Sequence, residues 1–139
     1  MLTYSTLTYR NQTLLMRNEL VENNPVLKHS VEFSLMVIEY CELLEASRKY
    51  VIARQLLRSA TSIGANAMEA QNAESKPDFV HKLKIAAKEA DETQYWLSLC
   101  NYSKTYPDCN HLMSKLEEIQ KILNKILGTA KRNKPFGHI

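Results

Sequence analysis

The sequence predicts an all-α fold, an up-down-up-down antiparallel four-helix bundle, and three observations carry that expectation. Apolar residues recur at steps of three and four along four long segments, the period of a helix with one buried stripe. Only three glycines and four prolines interrupt 139 residues, and β-branched residues are sparse. The strongest turn signals fall in a few short stretches, which leaves room for short connections between antiparallel neighbours.

The first helix is expected to begin at Asn24-Pro25, an N-cap residue followed by proline at the first helical position. Phe33, Val37, Tyr40 and Leu44 form its core stripe, and Ser47-Arg48-Lys49 ends it with cations at the negative helix end. The second helix spans about Tyr50 to Ala73. Its seam is built from Leu56, Ala60, Ile63, Ala67 and Ala70, with Gly64 beside it, so small residues let a neighbouring backbone come close. Glycine in mid-helix costs about 1 kcal/mol against alanine, which close helix contact explains.

Ser75-Lys76-Pro77-Asp78 breaks the chain before the third helix, about Pro77 to Lys104, whose stripe is Phe79, Leu83, Ala86, Ala90, Thr93, Leu97 and Cys100. The fourth follows Tyr106-Pro107-Asp108 with Leu112, Leu116, Ile119, Leu123 and Ile126, and Gly128 is its expected C-cap. The chain thus divides into a loose N-terminal extension (1–23), the bundle (24–128) and a basic C-terminal tail (129–139). A start at Met16 would run almost directly into the first helix and is an expectation alongside a start at Met1.

Charge and chemistry are sparse. Residues 25–128 hold 13 Lys or Arg and 13 Asp or Glu, and residues 1–24 hold two of each. The net charge of +3 therefore comes from Lys131, Arg132 and Lys134. Cys41, Cys100 and Cys109 have no metal-like spacing and read as reduced thiols of a cytoplasmic protein. No apolar run approaches a membrane span and no signal peptide is evident.

A di-iron bundle site would need Glu-x-x-His pairs, but Glu69 is followed at +3 by Asn72 and Glu89 by Glu92. None of His29, His81, His111 or His138 follows a glutamate at that spacing, so no metal or cofactor is expected. There is no strand-turn-helix nucleophile elbow and no glycine-rich phosphate loop, and an enzyme is not expected.

Two features point outward. Ile85, Trp96 and Leu99, with Glu92 between them, form a second apolar strip on the third helix and predict a contact with another subunit. Arg54 with Arg58, and Lys84 with Lys88, stand one turn apart. Repeated around a ring with the tail cations Lys131, Arg132 and Lys134, they would form a positive belt for RNA or DNA. The alternative is a protein-protein adaptor for a neighbouring gene product, with no nucleic-acid contact.

A resemblance sharpens these expectations. Residues from about Asn24 to Gly128 resemble the four-helix bundle proteins of the 23S rRNA intervening-sequence family, related to the accessory variability proteins of diversity-generating retroelements. The likeness is carried by Gln55-Leu56-Leu57-Arg58-Ser59, Thr61-Ser62-Ile63-Gly64-Ala65-Asn66 and Glu69-Ala70. It continues through Ala73-Glu74-Ser75-Lys76, Phe79, Leu83, Ile85-Ala86, Lys88-Glu89-Ala90 and Glu92-Thr93-Gln94-Tyr95-Trp96-Leu97. It implies a ring-like homopentamer. The more basic retroelement relatives imply nucleic acid and a reverse transcriptase as partners. Ala67 departs from the larger aliphatic residue common there, and the neutral bundle departs from the basic relatives.

Overall fold

The computed structural model describes residues 18–132, and these are helical throughout apart from the short connections. The four long helices are α1 (Pro25–Ala46), α2 (Tyr50–Ala70), α3 (Lys76–Tyr102) and α4 (Asn110–Arg132). Each packs against the next and α4 returns to α1, whereas the backbones of α1 and α3 stay apart across the bundle, as do those of α2 and α4. Neighbouring helices meet through pairs such as Ser30 with Gly64, Arg58 with Glu89, and Lys115 with Glu32.

The predicted stripes are the core. Phe33, Val37, Leu44, Leu56, Ile63, Leu83, Leu97, Leu116, Ile119 and Leu123 are all buried, with Ala60, Ala67, Ala86 and Ala90 where helices come closest. Gly64 shows what the small residues are for. A Cβ placed there would lie 3.3 Å from Ser30 Cβ on α1, tighter than ordinary packing allows. On the other flank of α2, Ser59 and Thr93 bury their hydroxyls against α3, Thr93 Oγ1 donating to Ser59 Oγ at 2.8 Å.

Helix boundaries follow local chemistry. Ser75 is extended and its Oγ accepts from the Asp78 amide at 3.2 Å, so α3 starts one residue ahead of Pro77. Arg48 closes α1 in the left-handed region at φ 61°, the conformation a C′ residue adopts.

Two predicted boundaries are corrected. Residues 18–22 are helical rather than a loose extension, and Val21 packs against the core. Gly128 does not cap α4, which continues to Arg132. Ile126 and Leu127 pack on the core, and Lys131 and Arg132 suit the last turn, which together offset the cost of a helical glycine. The Met1 or Met16 question and Lys134 lie outside the described residues.

At one end of the molecule two thiols lie beside a phenol, and a third, Cys41, lies near one of them. Tyr40 donates its hydroxyl to the Pro107 carbonyl at 2.8 Å and lies beside Cys100 and Cys109. Burial pushes the Cys41 thiol up to about 12 and Cys100 up to about 11, and raises Cys109 and Tyr40 as well. All three cysteines are buried, free thiols.

Candidate nucleic-acid interface

The predicted cations fall into different roles. Arg58 sits in the groove between α2 and α3, where its Nη1 lies 3.3 Å from Glu89 Oε2 and its Nη2 bonds Glu92. Its charge is thereby shared between two carboxylates. Arg54, one turn earlier, is exposed and has no ion pair among the described residues. Lys84 and Lys88 are likewise exposed on α3 and without an ion pair among the described residues. In α4, Lys131 and Arg132 are exposed on the last turn, and Arg132 Nη2 donates to Thr129 Oγ1 at 3.2 Å.

The expected apolar strip on α3 splits. Ile85, Glu92 and Trp96 are half-buried, Trp96 packs against the core, and its Nε1 donates to Glu92 at 3.4 Å. These residues lie on the flank of α3 nearer the core stripe, because the helical angle from that stripe is nearer a right angle than a half turn. Leu99 alone points outward, at 37% exposure. Three of the four strip residues are therefore partly covered within the chain.

The outward face of α3 holds something that charge counting passed over. At about 100° per residue, Lys84, Lys88, Tyr95, Leu99 and Tyr102 fall within an arc of about 60°. Tyr95 is 54% exposed and Tyr102 is 82% exposed. Asp91 stands at the edge of this arc, where it accepts from Gln120 Nε2 at 3.4 Å.

The acids Glu69, Glu89 and Glu92 divide among different cations. Glu89 and Glu92 take Arg58, and Glu69 instead takes Lys82 at 3.0 Å, which holds the Lys82 ammonium above its ordinary range. Sequence reading missed a second cluster, between α1 and α4. Lys115 Nζ lies 2.6 Å from Glu32, 2.8 Å from His29 Nδ1 and 3.7 Å from Glu118. The hydrogen bond from Lys115 lowers the Glu32 carboxyl below its usual value. Helical spacing sets Lys115 beside Glu118, but nothing local joins Lys115 to His29 and Glu32, which are more than 80 residues away.

Among the described residues no group of histidine, cysteine and acidic side chains could hold a metal ion. No helix among them is long and apolar enough to cross a membrane. An open groove of about 590 Å³ runs between α3 and α4, lined mainly by amides such as Gln94, Asn101, Asn110 and Gln120.

Against known proteins, the 23S rRNA-intervening sequence protein family model matches residues 22–125. The chain belongs to that family. The match takes in α1 to α3 and most of α4, and leaves out the last turn that carries Lys131 and Arg132. A solved structure of a protein of unknown function from the S23 ribosomal protein family, from Bacteroides thetaiotaomicron VPI-5482, is similar at 39% identity with a TM-score of 0.70. The alignment covers 73% of this chain and 97% of that one. No curated protein matches this member of the intervening-sequence family.

Proposed function

We propose that the chain is a non-enzymatic, cytoplasmic binding protein that acts as a homo-oligomer and takes RNA or DNA as its ligand. In this reading the protomer is an up-down-up-down four-helix bundle and the assembly is a ring-like homopentamer. The observation that carries it is the freedom of Lys84, Lys88 and Arg54. All three are exposed and make no ion pair among the described residues, while nearby carboxylates are engaged elsewhere. Glu89 and Glu92 hold Arg58, and Asp91 accepts from Gln120. Arg58 thus serves to neutralise acids beside the phosphate-binding cations rather than to contact phosphate itself.

Two or three cations bind phosphate weakly, and a ring multiplies them. Lys131 and Arg132 at the end of α4 add to the same field. The subunit contact falls on α1, where Val31, Leu35 and Ile38 are outward-facing at 40%, 58% and 38% exposure. A contact through the outward face of α1 leaves the exposed Lys84 and Lys88 of α3 open. No metal or cofactor is required.

The same exposed apolar residues of α1 favour a second reading, an adaptor for a neighbouring gene product. By likeness to the retroelement accessory proteins, a reverse transcriptase is the partner to try first. Anisotropy of labelled RNA and duplex DNA, at low and physiological salt, tests the first reading. Salt-sensitive binding that Lys84→Gln with Lys88→Gln weakens supports it. Absence of binding at low salt refutes it and leaves the adaptor.

A further inference from the structure

On the reading that this protein binds nucleic acid, we propose that its ligand is a single strand, lying along the outward face of α3. Its phosphates meet Lys84 and Lys88, and two of its bases stack on Tyr95 and Tyr102.

The geometry begins with the helix rise. Lys84 and Lys88 are separated by about 6 Å along the axis, and Tyr95 and Tyr102 by about 10 Å. The stripe from Lys84 to Tyr102 is about 27 Å long, enough for a site of about four nucleotides. All four side chains fall in one arc, so a strand can run straight along the helix without crossing a groove.

Exposure decides between one strand and two. Tyr102 leaves 82% of its surface in water and Tyr95 leaves 54%, and neither is buried by a neighbouring helix. A tyrosine ring offers a flat apolar face that a base can cover, and every base has a face to offer. The bases of a duplex are already stacked on one another. A duplex could therefore use only the two lysines and would leave both rings wet.

Leu99, between the rings and 37% exposed, supplies apolar floor for a sugar or base edge. Of the carboxylates in reach, one is neutralised and the other keeps its charge but is hydrogen-bonded toward α4. Glu92 is held by Arg58 and Trp96, and Asp91 lies at the edge of the arc with Gln120. His81 stands on the Lys84 side of the stripe, exposed.

The face carries its own reporter. Trp96 is the chain's one tryptophan, and its ring centroid lies 5.3 Å from that of Tyr95. A base stacked on Tyr95 arrives beside the indole and alters its emission.

The test uses the full chain with a labelled, unstructured 12-nucleotide RNA and a duplex DNA of equal length, read by anisotropy and by Trp96 emission. The single strand is expected to bind at least ten-fold tighter than the duplex and to change Trp96 emission on binding. Tyr95→Ala and Tyr102→Ala should each weaken the single strand roughly ten-fold and leave the duplex unchanged. Tyr102→Phe should retain full binding, because the ring face and not the hydroxyl is used. Lys84→Gln with Lys88→Gln should weaken both ligands and lower the salt dependence.

A single strand bound equally by wild type and both alanine variants would overturn the stacking site while leaving nucleic-acid binding intact. Equal affinity for duplex and single strand would do the same. Binding of neither at low salt would overturn the wider reading, and this one with it.

Discussion

Helices α2 and α4 both close onto α1, and they do so by opposite means. Helix α2 presents Gly64 to Ser30 and, on its other flank, Ser59 to Thr93, so backbones approach closely and small hydroxyls meet in a dry seam. Helix α4 reaches α1 partly with a long side chain, Lys115, gripping Glu32 and Glu118 near His29. The first joint depends on shape, with little room for error. The second depends on charge at a partly wet edge, where Glu32 is 44% exposed and Lys115 15%. A packed joint is written in local residue size, and an ionic one only in the folded arrangement.

This contrast can be broken at the packed joint first. Gly64→Leu should cost about 3 kcal/mol by forcing α1 and α2 apart, seen as a large fall in melting temperature. An unchanged melting curve would remove the close-approach account of α2. Next, Thr93→Val should cost about 1.5 kcal/mol, because it strips the Ser59 hydroxyl of its buried partner. Chemical denaturation would measure it, and a neutral result would mean the hydroxyl pair contributes only its volume.

The ionic joint should yield less. Lys115→Met should cost about 1 kcal/mol at neutral pH after discounting for solvent screening. It should also change the acid limb of stability. Glu32 ionises more readily folded than unfolded, so its contribution is present above the ordinary carboxyl value of 4.5 and is lost as pH falls through the lowered folded value. The variant should show a flatter stability profile below pH 4.5, and an unchanged profile would dissociate Glu32 from Lys115.

Smallest of all, Arg48→Gly should stabilise by about 0.7 kcal/mol, since the left-handed φ of 61° suits glycine. A loss of stability there would show that the arginine side chain matters more than its backbone.

What the sequence made legible follows the same division. The stripes of all four helices were readable because a buried face repeats every three or four residues, and Leu56, Ala60, Ile63, Ala67 and Ala70 are buried as their spacing implies. Phe79 and Ile126, at stripe ends, are only partly covered, because a helix end has fewer neighbours around it. The end of α4 was misread at Gly128, where tertiary packing of Ile126 and Leu127 overrides the local cap signal.

The site was less readable. Lys84 and Lys88 stand exposed as their spacing suggested, yet nothing local told Arg58 from Arg54. Only Arg58 meets acids some thirty residues further on. Trp96 was read as outward because apolar residues off the main stripe look surplus, while its indole in fact bonds Glu92. Tyr95 and Tyr102 were legible only through helical spacing, which sets them in the arc of Lys84 and Lys88, and charge counting passes over tyrosines.

The thiols around Tyr40 give one end of the molecule a built-in clock. Cys41, Cys100 and Cys109 belong to α1, α3 and the residue just before α4, and all three are sealed and held in their unreactive protonated form. An alkylating reagent can reach them only when that end opens. The rate at which label accumulates therefore counts openings rather than chemistry, and the order in which the three are modified tells which helix lifts first.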